Sequence, residues 1–264
     1  MDGMDMNGMD MHDMGEPSGP KIAAAVPADN GLHDSVGGYS YVQDATTLSA
    51  GAPKPFTFHI TGAGGKAVTR FQPYEGQLLV FYVVRTDLGD FHRLTASMRE
   101  DGTWTVPMPA LTPGAYRTYV TFATPDAGAG TPLTYSLSQP LTVPGEAVPA
   151  AVPDKAGTAS ADGYTLRLTG APRQGSDTDL GVVVTKDGKP VQQFGRILDG
   201  YAHLTAVHSP DAAFARGLST GRSAGDGALT AKVLFPESGK WRLFVEFETS
   251  GVAHTAAFTV EVTP

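Results

Sequence analysis

The sequence predicts an all-β protein, with two tandem immunoglobulin-like β-sandwich domains preceded by a disordered Met/Asp-rich tail. Three observations carry this prediction. Gly 32 and Pro 20 make up 52 of the 264 residues, and after residue 38 no stretch runs more than 12 residues without one of them. That spacing leaves little room for helix bundles or doubly wound folds. Short segments alternate apolar and polar residues, the period of a half-buried strand. Finally, the chain resembles itself when shifted by about 123 residues, as two copies of one module would. The expected division is a tail and lead-in over 1–38, a first sandwich over 39–144, a linker over 145–160 and a second sandwich over 161–264.

The first 15 residues are three pentads, MDGMD, MNGMD and MHDMG, each with Met at its first and fourth positions. No Val, Ile, Leu or aromatic residue precedes Ile22, so the segment cannot bury enough apolar surface to offset its chain entropy. Disorder without ligand is the expectation. Thioether sulfur is a soft, uncharged donor, and closely spaced methionines beside an imidazole suit Cu(I) rather than Mg or Ca. Met1, Met4, Met6, Met9, Met11, His12 and Met14 are therefore the candidate copper ligands, with the interleaved aspartates concentrating cations nearby. The alternative is a solvated low-complexity tail without a ligand.

Beyond the tail, Phe56, Phe58 and Ile60 alternate with Thr57 and His59, which predicts a half-buried strand. Leu78 to Val84 is apolar on both parities and predicts a central strand covered on both faces. Asp90 to Asp101 places Phe91, Leu94 and Met98 at helical spacing behind a possible Asp90 cap, so a short helical turn is expected there. Pro113-Gly114-Ala115-Tyr116-Arg117 reads as a turn opening a late sandwich strand. The Pro-, Ala- and Gly-rich stretch that follows reads as the linker.

The second half repeats these features. Lys66-Ala67-Val68 with Phe71 falls on Lys189-Pro190-Val191 with Phe194, and Phe81, Val84, Phe91 and Arg93 fall on Leu204, Val207, Phe214 and Arg216. The late-strand turn recurs at Ser238-Gly239-Lys240-Trp241-Arg242.

Composition excludes several functions. The net charge of −8 divides into −5 over residues 1–20 and −3 over the rest, leaving no basic stripe for nucleic acid. With Cys 0, disulfides, thiolate metal sites and cysteine nucleophiles are impossible. The longest apolar run is seven residues, so no transmembrane segment or signal peptide is expected in this chain. Gly217-Leu218-Ser219-Thr220-Gly221 matches the G-x-S-x-G string of hydrolases, but it lies in what reads as a flexible loop rather than a strand–turn–helix. Gly64-Gly65-Lys66-Ala67 lacks the leading Gly and the Ser or Thr of a phosphate loop. No enzymatic activity is expected.

After residue 31 the chain resembles a group of secreted or membrane-anchored bacterial two-domain proteins labelled heavy-metal-binding or copper-associated. The likeness is carried by Gly31-Leu32, Gly38-Tyr39, Phe58 to Ile60, Arg85-Thr86-Asp87-Leu88, Gly102-Thr103-Trp104 and Pro113 to Arg117. In the second half it is carried by Asp187 to Val191, Ala202-His203-Leu204, Phe235-Pro236, Gly239 to Phe247 and His254 to Phe258. The resemblance implies an extracytoplasmic location, secreted or anchored at the cell surface, and a metal role. Relatives place an H-x-H-P motif in each half. Here those positions read Arg93-Leu94-Thr95-Ala96 and Arg216-Gly217-Leu218-Ser219, and arginine cannot ligate a cation. A strand histidine of the first half is Val80 here, while its counterpart His203 remains.

His203 with His254 is thus the one pair in the folded body to consider as a metal site, the alternative for each being a hydrogen-bonded core histidine. His203 and His208 differ in strand parity and cannot face one site without a bulge. Two functions follow from these residues. One is an extracytoplasmic metal-associated binding protein taking Cu(I) through its tail. The other is a cell-exterior structural or protein-interaction module with a protein partner and no metal role.

Overall fold

The computed structural model describes residues 24–25, 30–125, 133–222 and 227–264. The first module is built from β1 (Ala24–Ala25), β2 (Ser35–Val36), β3 (Tyr39–Gln43), β4 (Lys54–Thr61), β5 (Leu79–Arg85), β6 (Phe91–Thr95), β7 (Ser97–Met98), β8 (Thr103–Met108), β9 (Gly114–Thr124) and β10 (Leu133–Val143). Two sheets face each other, ordered β1-β10-β9-β5-β6 and β2-β3-β4-β8-β7. Inward-pointing Phe56, Phe58 and Trp104 meet Phe81, Val120 and Phe122 across the gap. Phe58 stacks on Trp104 with centroids 6.1 Å apart and planes 5° from parallel. The expected alternation in Phe56–Ile60 is present, with those three apolar residues buried and Thr57 and His59 half-buried.

The second module comprises β11 (Thr158–Ala161), β12 (Tyr164–Thr169), β13 (Asp177–Lys186), β14 (Lys189–Pro190), β15 (Ala202–His208), β16 (Phe214–Arg222), β17 (Ala228–Leu234), β18 (Gly239–Thr249) and β19 (Val252–Val262). It repeats the first closely: β15 is β5 shifted by 123 residues, and β18 is β9 shifted by 125. The closure differs. In the first module the chain crosses between sheets at Ala96, with β6 paired to β5 and β7 to β8. In the second, β16 makes the same crossing as one continuous strand, paired to β15 over its first half and to β17 over its second. A register shift between Ser219 and Gly221 bends it through the corner. The two layers thereby become a single sheet, β11-β12-β13-β17-β16-β15-β18-β19.

Two expectations are corrected. Asp90–Asp101 forms no helical turn; β6 and β7 instead satisfy their backbone groups on β5 and β8, and tertiary pairing overrides a local 3.6-residue spacing. Gly217–Gly221 is part of strand β16, not a loop. It still lacks the turn and helix that a hydrolase elbow needs. The stretch before β11 is pinned: Asp87 accepts the Ala150 N–H at 2.7 Å and Val152 packs between the modules. Residues 30–34 join the two modules. Asn30 O accepts the Phe214 N–H and His33 O the Ser138 N–H, so this short strap crosses from one module to the other.

Candidate functional site at the domain junction

The both-sided apolar character of Leu78–Val84 finds its cause in the packing of the two modules. Along β5, Leu79, Phe81 and Val83 enter the core of their own sandwich, while Val80, Tyr82 and Val84 point outward. Strand alternation makes the same division on β15, with Leu204 and Ala206 inward and His203, Thr205 and Val207 outward. The outward faces meet. Residues from β5, β6, β9, β15, β16 and β18 form a third buried cluster belonging to neither sandwich.

Because the modules are copies and contact through equivalent strands, the junction is nearly self-complementary, like the interface of a symmetric dimer within one chain. Phe91 lies flat on Phe244, with centroids 4.2 Å apart and planes 7° from parallel. Its repeat equivalent, Phe214, stacks on Tyr119, the equivalent of Phe244, at 4.6 Å and 21°. Tyr119 also donates to Ala212 O at 2.6 Å. At the middle of this aromatic frame sits a polar group. Tyr82 Oη and His203 Nε2 are 2.8 Å apart, with the rings nearly parallel. Arg93 Nε donates to Glu246 Oε2 at 2.8 Å. Arg216 donates to Ser136 Oγ at 2.8 Å and lies over the Tyr74 ring at 4.7 Å.

Burial determines the protonation of this group. Desolvation pushes the His203 imidazole down to about 3, with the Arg93 and Arg216 charges adding to the effect. It also raises the Tyr82 phenol well above its ordinary range. The pair therefore neither gains nor loses a proton near neutral pH, and its hydrogen bond is a fixed contact rather than a proton relay. Burial likewise lifts the Glu75 carboxyl to about 7, against the pull of Arg216 and Arg93. Glu75 Oε2 lies 3.6 Å from His203 Nδ1, too far for a hydrogen bond, and has no hydrogen-bond partner among the described residues. With His203 neutral this contact is not an ion pair. The geometry therefore clamps one module to the other.

Met1, Met4, Met6, Met9, Met11, His12 and Met14 all lie outside the described residues. His203 and His254 are not brought together. On β18, Glu246 pairs with His203 and faces the junction, whereas Phe247 pairs with His254 and faces the core. Neighbouring residues on a strand point to opposite faces, so the two imidazoles lie on opposite sides of one sheet. His254 is a hydrogen-bonded edge-of-core histidine, 2.9 Å from Thr249 Oγ1 and 2.8 Å from Asp162 Oδ2. Sequence reasoning placed Arg93 and Arg216 at equivalent positions but attached no role to them. Glu75, Tyr82 and Glu246 were missed; the available signal was a strand apolar on both faces, which requires a second covering surface.

A family model described as a domain of unknown function (DUF8832) matches residues 159–264, which is the second sandwich. No curated protein matches the chain. Among solved structures, the chain is similar to FdeC, an Escherichia coli adhesin, at 18% identity over 87% of this chain and 65% of that one, with a TM-score of 0.27. It is similar to Yersinia pseudotuberculosis InvD at 14% identity over 87% of this chain and 58% of that one, with a TM-score of 0.27. The D0-D1 domain of intimin aligns at 16% identity over 85% of this chain and 98% of that one, with a TM-score of 0.24. The chain thus spans about three-fifths of the length of the first two. Its own strand order and paired sheets establish an all-β, immunoglobulin-like architecture, and the family-model match falls on its second module.

Proposed function

We propose that the chain is a rigid two-domain structural or protein-interaction module that works outside the cytoplasm and has no catalytic role. One observation carries this reading: the two modules bury their equivalent sheets against each other around stacked aromatics and the Arg93–Glu246 pair. Their mutual orientation is thereby set, and the opposite sheets, strand edges and loops are left to meet a partner. The interior needs no disulfide, because each sandwich is closed by large apolar side chains. Fractionation of cells producing the chain, combined with protease accessibility, tests the location. Recovery outside the cytoplasmic membrane is expected, and a soluble cytoplasmic pool would overturn it. Small-angle scattering tests rigidity: one fixed arrangement fitting the data is expected, and a distribution of domain orientations would refute it.

A second reading is favoured by the three methionine pentads with His12, namely Cu(I) capture by the tail. Competition of the full chain and a chain lacking residues 1–15 against a Cu(I) chelator distinguishes the two. Loss of most Cu(I) binding on truncation is the expected result for capture, and unchanged stoichiometry would sink it.

A further inference from the structure

At the end of β15, on the core-facing side of the sheet, His208 and Asp211 of one turn meet Glu237 from the loop before β18. His208 Nδ1 is 2.7 Å from Asp211 Oδ1 and 3.5 Å from Glu237 Oε2, and the three ligand atoms all lie within 4.8 Å of one another. A cation about 2.1 Å from each of three tetrahedral ligands would separate them by about 3.4 Å, so the spacing suits a small ion with little movement.

Each ligand is also held from behind. The His208 ring packs on Trp241 at 4.9 Å and its side chain is only 9% exposed. Gly239 makes room for it: a Cβ at that position would lie 2.9 Å from His208 Nε2, and the backbone φ of +114° disfavours side chains there. Asp211 Oδ1 accepts the Ala213 N–H at 3.0 Å. The Glu237 backbone carbonyl accepts the Trp241 indole N–H at 3.1 Å. Its Oε1 accepts from Asn30 Nδ2 at 2.9 Å, leaving Oε2 turned toward His208.

The charge around these atoms is unbalanced. A single imidazole stands between two carboxylates, and one N–H can donate fully to only one of them. Among the described residues no Lys or Arg forms an ion pair with Asp211 or Glu237; nearby Lys240 pairs instead with Asp154.

We infer that His208, Asp211 and Glu237 form a binding site for a divalent transition cation of the Zn2+ type, with at least one position open to solvent or to a partner's side chain. One nitrogen and two carboxylate oxygens form a borderline-hard ligand set, unlike the soft thioethers of the tail, so the two regions select different ions. Coordination by Nδ1 uses the lone pair of that nitrogen. The hydrogen bonds donated by the Asn30 side-chain amide and the Ala213 backbone N–H then orient the carboxylates as second partners of bound ligands do.

Calorimetric titration of the full chain with Zn2+, alongside the Asp211→Asn and Glu237→Gln variants, tests the site. Both substitutions keep size and fall on partly exposed side chains, so circular dichroism should be unchanged. One Zn2+ bound by the body and at least a tenfold loss of affinity in each variant are expected. Equal affinity and stoichiometry in all three proteins, or no Zn2+ uptake at millimolar concentration, would overturn the inference. A second readout does not depend on the variants. The His208 ring resonances should shift on adding Zn2+ to wild-type protein, and their invariance at saturating Zn2+ would refute the site. Neither cellular location nor Cu(I) capture bears on these readouts.

Discussion

Replacing Glu75 with Gln should change how the stability of this protein depends on pH, because the carboxylate is held at the junction without a hydrogen-bond partner for Oε2. In the unfolded chain the group loses its proton near 4.5, and in the folded chain at about 7. Between those values the folded state binds more protons, so this group's contribution to stability falls as pH rises through the window. Each tenfold change in proton affinity is about 1.36 kcal/mol, so the full effect amounts to ~3 kcal/mol. The side chain of Glu75 is 14% exposed, which leaves little solvent screening to discount. His203 acts in the opposite sense: its folded value of about 3 lies below 6.5, so stability is gained as pH rises between the two. That contribution, and those of Arg93, Arg216, Asp199 and Glu246 facing Glu75, are common to both proteins and largely cancel in their difference. Urea denaturation at several pH values from about 4 to 8, followed by fluorescence, is the assay. Trp104 reports the first module and Trp241 the second. Relative to wild type, Glu75→Gln should become more stable by ~3 kcal/mol between the acid and alkaline ends of that range. A difference that stays constant with pH would show that Glu75 is not the strained group described here.

Three further perturbations probe the same architecture. Arg93→Met leaves Glu246 buried without its partner and should cost roughly 3–5 kcal/mol, whereas the double change Arg93→Met with Glu246→Met should recover most of the loss; denaturant midpoints of the two proteins decide. Phe244→Ala removes one face of the closest aromatic stack and should cost about 3–5 kcal/mol, with scattering showing looser docking while each module keeps its strand signature in circular dichroism. Trp241→Ala and Phe81→Ala empty positions at the centres of the two sandwiches and should each cost about 3–5 kcal/mol; a near-wild-type melting temperature would contradict their place in the cores.

Much of the architecture was legible because strand patterning is local. Phe56, Phe58 and Ile60 reveal a half-buried strand through the period of the pleat alone, and the repeat of Pro113–Arg117 at Ser238–Arg242 reveals a duplicated module before any packing is known. The same locality misled at Asp90–Asp101, where Phe91, Leu94 and Met98 keep helical spacing but hydrogen bonds to β5 and β8 decide the conformation. Gly217–Gly221 failed in the same way, since its glycines suggest a loop until β15 and β17 pair with it on either side.

What the sequence determined by itself was the all-β class, the duplication, the strand parity that separates His203 from His208, and the demand that Leu78–Val84 be covered twice. Only the tertiary structure decided what covers it, because two copies of a module can dock in many ways and the choice rests on how outward-facing Tyr82, Phe91, Arg93, Phe214 and Phe244 fit together. It likewise separated His203 from His254 across one sheet and brought Glu237 to His208 and Asp211. Periodicity reports which side of a strand a residue occupies. Which distant residues share that side depends on which strands pair, and that is settled by the free energy of the whole fold.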